Sequence, residues 1–164
     1  MLELRSGTAQ DTRAIGRALA AALRAGDTTI LTGELGAGKT TLVRGIADGL
    51  GSEDPVASPT FTLIREYGGG RLDVVHVDVF RLSRMQDVVD LGLDELRDTG
   101  RAVLLVEWGD AIVELLPDDH LRVELSTPDP GSEDRRVVLS ASGPSWADRW
   151  ERLEHALAAW TAAA

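Results

Sequence analysis

The sequence contains no cysteine and no asparagine among its 164 residues, and a single lysine among its 17 basic residues. Without cysteine the chain forms no disulfides and has no thiolate chemistry, which fits a reducing cytoplasm. No apolar run approaches the roughly 20 residues that a membrane-spanning helix needs. Acidic residues outnumber basic ones by 27 to 17, giving a formal net charge of −10, and such a chain binds nucleic acid poorly because phosphate neutralisation supplies most of that affinity. We therefore expect a cytoplasmic protein that binds neither membranes nor DNA.

The single lysine, Lys39, lies in the segment Gly33-Glu34-Leu35-Gly36-Ala37-Gly38-Lys39-Thr40. The segment reads G-x-x-x-x-G-K-T, the pattern of the phosphate-binding loop (P-loop) of nucleoside-triphosphate-binding proteins. This pattern is credible between a strand and a helix, and the sequence predicts a strand over Thr28–Thr32 and a helix over about Lys39–Ala47. A compact ammonium on a flexible stem is kept where a planar guanidinium would not fit. The sequence therefore predicts a nucleotide-binding protein.

Glycines in such a loop let backbone N–H groups approach phosphate oxygens, and the following helix directs its positive end at the anion. Lys39 is expected to contact the β- and γ-phosphates, and the Thr40 hydroxyl to bind the bridging Mg²⁺ ion. The predicted nucleotide-binding residues of the loop are Gly33, Gly36, Ala37, Gly38, Lys39, Thr40 and Thr41. ATP is favoured over GTP, because a guanine-reading Asn-Lys-x-Asp motif cannot occur in a chain without asparagine.

Two carboxylates follow buried strands and are candidates for the metal and the hydrolytic water. Glu107 comes after the continuous apolar run Ala102–Val106, which is typical of a central strand buried on both faces. Asp78 comes after Val74-Val75-His76-Val77. We assign Glu107 to the metal, directly or through water, and Asp78 to positioning the attacking water or a second water beside the metal.

Three further residues have more than one interpretation. Thr60 lies in Ser58-Pro59-Thr60-Phe61-Thr62, a loop that could close over the γ-phosphate, although such stretches are also common loop punctuation. His76 shares a strand face with Asp78 and is either catalytic or a half-buried histidine with satisfied hydrogen bonds. Trp108 either packs over the nucleotide or serves a partner.

The predicted fold is α/β, a single P-loop NTPase domain over residues 1–164 with a mixed parallel and antiparallel sheet flanked by helices. A helix is predicted over Thr8–Arg24, a helix broken at Gly92 over Met85–Asp98, and a last helix capped by Ser145. Glycines at 49 and 51 are expected to stop the helix that follows the loop. The further predicted strands are Leu2–Arg5, Phe61–Tyr67, Leu72–Phe80, His120–Ser126 and Arg135–Ala141, the last four forming two hairpins.

Four segments together resemble the TsaE (YjeE) family, the small bacterial ATPase of tRNA threonylcarbamoyladenosine biosynthesis. The glycine loop alone is generic, whereas His-x-Asp-x-aromatic-Arg-Leu followed by Val-Glu-Trp is much more specific. Phe80 departs from the family pattern, in which tyrosine is usual. The segments are the glycine loop 33–41, Ser58-Pro59-Thr60-Phe61-Thr62-Leu63, His76-Val77-Asp78-Val79-Phe80-Arg81-Leu82 and Val106-Glu107-Trp108.

The resemblance implies ATP and Mg²⁺ as cofactors, weak hydrolysis by the isolated subunit, and a working complex with the TsaD and TsaB proteins. In that family TsaD and TsaB transfer threonylcarbamoyl to a tRNA adenosine, so tRNA would be reached only indirectly. Carried onto this chain, Lys39, Asp78 and Glu107 are the catalytic residues. Thr40 and Glu107 hold the metal, and Thr60 belongs to a mobile loop over the nucleotide.

Two other functions compete with a partner-gated ATPase. A small-molecule kinase would need an arginine-rich lid, which Arg81, Arg84, Arg97 and Arg101 only loosely imitate. A nucleotide-gated binding module would need ATP but no essential hydrolysis. An ABC-type subunit is excluded because the chain has no Ser-Gly-Gly-Gln signature.

Overall fold

Seven strands form one sheet in the part of the chain that the computed structural model describes, residues 1–59, 62–82, 84–98 and 100–161. The strands are β1 (Leu2–Ser6), β2 (Thr28–Thr32), β3 (Ile64–Tyr67), β4 (Asp73–Asp78), β5 (Ala102–Glu107), β6 (His120–Ser126) and β7 (Arg135–Ser142). Their order across the sheet is β1-β7-β6-β2-β5-β4-β3. The central strands β6, β2, β5 and β4 are parallel, whereas β3, β7 and β1 pair antiparallel with their neighbours. The predicted α/β fold with a mixed sheet is confirmed.

The helices lie on both faces of the sheet. They are α1 (Ala9–Ala20), α2 (Lys39–Leu50), α3 (Met85–Val89), α4 (Leu93–Arg97), α5 (Pro144–Ala147) and α6 (Trp150–Leu157), with 3₁₀ segments over Gly109–Leu115 and Ala158–Trp160. The predicted break at Gly92 is confirmed, since that residue is left-handed between α3 and α4. Thr8 caps α1 by accepting a hydrogen bond from the Asp11 N–H. No helix within the described ranges is long and apolar enough to cross a membrane.

Strands β2 and β5 are buried along their whole length, as the apolar run in β5 predicted. On one face, Leu31 and Leu105 join a core with the buried sides of α1, α2 and α6. On the other face, Ile30 and Leu104 pack with α3, α4 and the first 3₁₀ segment. Because successive strand side chains point to opposite faces, a strand covered on both sides buries every side chain, the threonines of β2 included.

Helix α2 continues through Gly49 to Leu50, three residues beyond the predicted end at about Ala47, and stops within the predicted segment Gly49-Leu50-Gly51. The glycines of this helix serve close packing against α1. A Cβ atom at Gly49 would lie 2.7 Å from the Ala20 Cβ, and one at Gly45 would overlap the carbonyl oxygen of Arg13. The helix ends at Gly51, which has the left-handed φ of 81° that a C-terminal cap requires.

The C-terminal segment differs from its prediction, because Ser145 does not cap a single long helix. The backbone N–H of Ser145 donates to Asp119 at 3.1 Å, and its hydroxyl donates to the other oxygen of that carboxylate at 2.6 Å. The chain then breaks between α5 and α6 at Arg149, whose guanidinium is buried against Asp27. Trp146 is buried in the core, whereas Trp150 and Trp160 pack at its margin.

Candidate nucleotide site

The loop between β2 and α2 has the backbone shape that its glycines predict. Gly33 has a φ of 136°, and a Cβ atom there would overlap the carbonyl oxygen of Leu125 in β6. Gly36 and Gly38 are also left-handed, with φ values of 79° and 105°, and nothing lies within 4 Å of a Cβ placed at Gly36. The loop therefore bends over the start of α2 and leaves open space in front of it.

The start of α2 presents backbone donors to that space. The N–H groups of Lys39, Thr40 and Thr41 have no acceptor one turn earlier inside the helix. These groups and the helix dipole favour an anion at this point. Residues 33–41 thus supply a cradle of N–H donors of the kind that binds a polyphosphate.

Lys39 is only 4% exposed and lies under the loop. Its Nζ donates to the carbonyl oxygens of Gly33 at 2.7 Å and Glu34 at 2.9 Å, which leaves one N–H without an acceptor among the described residues. The indole ring of Trp108 lies 4.0 Å from Nζ. Burial lowers the pKa of Lys39, and the negative charges of Glu107, Asp78 and Asp110 oppose that shift.

Thr40, Glu107 and Asp78 meet at the carboxyl ends of the parallel strands. The parallel pairing of β4 with β5 places Asp78 directly opposite Glu107. The Thr40 hydroxyl donates to Oε1 of Glu107 at 2.8 Å, and both carboxylates are only 4% exposed. An Asp78 oxygen accepts from the Phe80 N–H at 2.9 Å. Two acids and a hydroxyl therefore stand beside the one lysine.

His76 is fully buried next to Glu107. Its Nε2 lies 2.8 Å from Oε1 of Glu107, and its Nδ1 lies 3.1 Å from the Tyr67 hydroxyl. That hydroxyl donates to the carbonyl oxygen of Ala57 at 2.7 Å. Both ring nitrogens of His76 thus have protein partners, and the interpretation as a histidine with satisfied hydrogen bonds describes its surroundings.

The cleft in front of the loop has a volume of about 340 Å³. Trp108 forms one wall, with Phe80 stacked on it at a centroid distance of 4.8 Å. A cavity of about 430 Å³ that includes Gly33 is lined by the carboxylates of Glu34, Asp110 and Glu124, which outnumber its one cation, Arg122, and would repel a phosphate. The charges that line these two spaces, more than their volumes, make the cleft at Lys39 the better candidate for binding a phosphate.

Arg135 is a residue of this region that the motif did not predict. Its guanidinium donates to the carbonyl oxygen of Ala37 at 3.1 Å and lies 3.4 Å from that of Gly36. Together with Ala9, Thr12 and Thr41 it lines a small cavity of about 130 Å³ at the outer side of the loop. No local signal could have revealed it, because 98 residues separate Arg135 from Ala37.

The structure brings Lys39, Thr40, Asp78 and Glu107 together around the cleft, which Gly36, Gly38 and Thr41 also line. Gly33 and Ala37 do not line it: the Gly33 carbonyl accepts from Lys39 Nζ, and the Ala37 N–H donates to the carbonyl oxygen of Glu34 at 3.1 Å. Thr60 lies outside the described residues, so its predicted place over the nucleotide stays a prediction. Ser58 lines the cleft. Trp108 packs against Lys39, which is compatible with either of its two interpretations.

A central parallel strand, a glycine loop and a helix, flanked by carboxylates on the next strands, define a P-loop NTPase fold. Residues 6–137 match the family model described as "Threonylcarbamoyl adenosine biosynthesis protein TsaE". The chain is 41% identical to the Bacillus subtilis tRNA threonylcarbamoyladenosine biosynthesis protein TsaE over 152 residues, which is 93% of this chain and 90% of that protein. It is 45% identical to the Streptomyces coelicolor TsaE over 141 residues, covering 82% and 93% of the two chains.

Among solved structures, the crystal structure of Bacillus subtilis YdiB matches with a TM-score of 0.76 at 37% sequence identity. The match covers 96% of this chain and 94% of YdiB. The chain therefore belongs to the TsaE family, as its sequence motifs indicated.

Proposed function

We propose that this protein is a Mg²⁺-dependent ATPase that supports threonylcarbamoyl modification of tRNA adenosine by acting on a complex of TsaD and TsaB. The observation that carries the ATPase proposal is the contact of Thr40 with Glu107 at 2.8 Å, in the same cleft as the ammonium of Lys39. A hydroxyl, a carboxylate and an ammonium in one cleft are what a metal–triphosphate complex requires.

The loop fits a triphosphate. A side chain at Gly33 would overlap β6, and the N–H groups of Lys39, Thr40 and Thr41 at the start of α2 have no acceptor inside the helix. Lys39 would add one positive charge at the β- and γ-phosphates. The small cavity beside Arg135 and Thr12 shares Gly36, Gly38 and Thr41 with the cleft. We therefore assign phosphate binding to residues 33–41.

The donor set also fits Mg²⁺. This ion prefers oxygen ligands and is usually held by one or two carboxylates together with substrate phosphates and water. Thr40 and Glu107 supply a hydroxyl and a carboxylate, and the described residues contain no cluster of three or more histidine or acidic side chains that could hold a metal alone. When bound, the ion would neutralise charge that develops on the phosphates during hydrolysis.

In this proposal each side chain has one role in hydrolysis. Lys39 stabilises negative charge on the terminal phosphates, and Thr40 with Glu107 holds the metal. Asp78, opposite Glu107 on the neighbouring strand, orients the attacking water. The buried surroundings strengthen these electrostatic interactions relative to those in water.

The biological part of the proposal rests on the family. The family description and the names of the relatives assign those proteins to threonylcarbamoyladenosine biosynthesis. A net charge of −10 suits docking to a basic protein–RNA assembly better than direct binding of tRNA. We accordingly propose a cytoplasmic protein, one domain over residues 1–164, that contacts tRNA only through TsaD and TsaB.

Three variants test the ATPase proposal. Glu107→Ala and Asp78→Ala should reduce ATP hydrolysis by about 10²-fold or more while retaining ATP binding, because they remove transition-state stabilisation. Lys39→Ala should weaken both ATP hydrolysis and ATP binding, because the phosphate charge is then poorly neutralised. Hydrolysis is measured with and without purified TsaD and TsaB, and binding by calorimetry with ATP.

The outcomes separate the competing functions. Hydrolysis-deficient Glu107→Ala and Asp78→Ala proteins that still support tRNA modification would indicate a nucleotide-gated binding module instead. Phosphate transfer to a nucleoside or sugar in a substrate screen would indicate a kinase. A pull-down with ATP or ADP that recovers no TsaD or TsaB would contradict the partner assignment.

A further inference from the structure

A continuous chain of hydrogen bonds leads from the proposed metal carboxylate to an irregular segment of the backbone. It runs from Glu107 through His76 and Tyr67 to the carbonyl oxygen of Ala57, with distances of 2.8, 3.1 and 2.7 Å. His76 is 0%, Tyr67 2% and Glu107 4% exposed. Water therefore cannot easily replace any partner in the chain.

The chemistry of the groups fixes the direction of these bonds. A carbonyl oxygen only accepts, so the one proton of the Tyr67 hydroxyl points to Ala57. Tyr67 Oη must then accept from Nδ1–H of His76. Nε2 of the same ring lies within hydrogen-bond distance of Oε1 of Glu107, at 2.8 Å. Each member thus holds the orientation of the next.

The segment at the far end of the chain reaches the nucleotide cleft. Residues 52–59 contain neither helix nor strand. Ala57 is held by Tyr67, and the next residue, Ser58, lines the cleft that also contains Lys39 and Glu107. Three hydrogen bonds, two of them fully buried, therefore connect Glu107 to this segment.

We propose that His76 is a positioning residue for Glu107, and that Tyr67 couples this carboxylate to the segment 52–59. Oε1 of Glu107 accepts a hydrogen bond from Thr40 and also contacts His76. The imidazole therefore fixes the rotation of the carboxylate to which the Thr40 hydroxyl donates. Partners that orient a metal-binding carboxylate affect metal affinity without touching the metal. The inference rests on the proposed function for the part that concerns Mg²⁺.

Two substitutions of His76 separate its two nitrogens. The amide of His76→Gln can replace Nε2 toward Glu107 but not Nδ1, whereas the amide of His76→Asn can replace Nδ1 but not Nε2. We expect His76→Asn to raise the half-saturating Mg²⁺ concentration for ATP hydrolysis about 10- to 100-fold. His76→Gln should stay within about threefold of wild type. ATP binding in EDTA should be unchanged in both, and His120→Asn is the matched control outside the site.

The coupling is measured by amide hydrogen exchange over residues 52–59. Wild type should change its exchange in this segment when Mg²⁺ and the β,γ-imido analogue of ATP are added. Tyr67→Phe should still bind the analogue but lose this response. Equal responses in Tyr67→Phe and wild type, or equal Mg²⁺ requirements in His76→Asn and wild type, would overturn the inference.

Hydrogen exchange measured without nucleotide tests the chain of hydrogen bonds independently of the proposed function. Glu107→Ala and Tyr67→Phe should both speed exchange over residues 52–59 about five- to tenfold, the effect of losing one hydrogen bond. His120→Asn should leave the exchange rate of these residues unchanged. If residues 52–59 exchange at the same rate in Glu107→Ala and in wild type, the chain of hydrogen bonds does not couple Glu107 to this segment and the inference is wrong. If this prediction holds but wild type binds no nucleotide, the proposed function alone fails.

Discussion

Thr40 donates its hydroxyl proton to Oε1 of Glu107 across 2.8 Å, although 67 residues separate them in the chain. Thr40 lies in the first turn of α2, and Glu107 is the last residue of β5. The parallel pairing of β5 with β2 brings the two elements side by side. The contact therefore depends on the sheet order, and it joins the phosphate loop to the carboxylate of the neighbouring strand.

Removing the Thr40 hydroxyl should impair metal use more than nucleotide binding. Thr40→Val keeps the shape of the side chain but deletes the oxygen that contacts Glu107. We expect the half-saturating Mg²⁺ concentration for hydrolysis to rise about 10- to 100-fold. Thr40→Ser keeps the hydroxyl and should remain within about threefold of wild type. Equal Mg²⁺ titration curves for Thr40→Val and Thr40→Ser would contradict the assignment of Thr40 to the metal.

The central strands and the phosphate loop could be predicted from the sequence because their signals are local. The loop pattern around Lys39 fixes strand, turn and helix within a few residues, and the apolar run of β5 identifies a strand covered on both faces. The positions of Asp78 and Glu107 at the ends of buried strands could be predicted as well, whereas the strand order that pairs them is seen only in the structure.

The features that were missed depend on contacts between distant segments. Nothing near Gly49 indicates that α1 passes so close that only glycine fits, so the sequence does not show that this glycine packs inside α2 while Gly51 alone ends the helix. Ser145 has the residue type of a cap, but Asp119 from another segment supplies the capping oxygen. Arg135 reaches the loop from a strand at the opposite end of the chain.

Gly45→Ala should destabilise the protein without altering the cleft directly. A Cβ atom at this position would lie 3.0 Å from the Cα atom of Arg13 and overlap its carbonyl oxygen, so α1 and α2 would have to separate. We expect a loss of about 1–3 kcal/mol in the free energy of unfolding, measured by urea denaturation. Gly7→Ala is the control, because its Cβ would find only ordinary contacts at 3.5 Å and beyond. The packing argument fails if both variants unfold at the same urea concentration.

The buried pair of Arg149 and Asp27 should be sensitive to removal of one partner. Arg149 donates twice to Asp27, and further to the carbonyl oxygens of Ala22 and Ser145, while its guanidinium lies 3.8 Å from the Trp146 ring. Asp27→Ala should cost about 3–5 kcal/mol, since it leaves a buried cation without its counter-charge.

A double substitution separates the cost of an unpaired charge from the worth of the pair. Asp27→Ala combined with Arg149→Met removes both charges and should be more stable than Asp27→Ala alone. Chemical denaturation of the four proteins of this cycle measures the coupling. If the losses in free energy of unfolding were additive, the two side chains would contribute independently to stability, and the argument from their contact would be wrong.

The pairing of Asp48 with α1 predicts a dependence of stability on pH. Asp48 in α2 accepts from Arg13 and Arg17, and the hydrogen bond from Arg13 holds the pKa of this carboxyl below its ordinary value of about 3.9. A depressed folded-state pKa gives stability that is fully present above the unfolded value and is lost as the pH falls through the folded one. At pH 7 wild type should therefore be more stable than Asp48→Asn. This difference should narrow below about pH 4 and close once Asp48 is protonated in the folded state. Urea midpoints of both proteins between pH 7 and pH 3 measure it, and a difference that stays constant over this range would show that the charge of Asp48 does not stabilise the contact between the two helices.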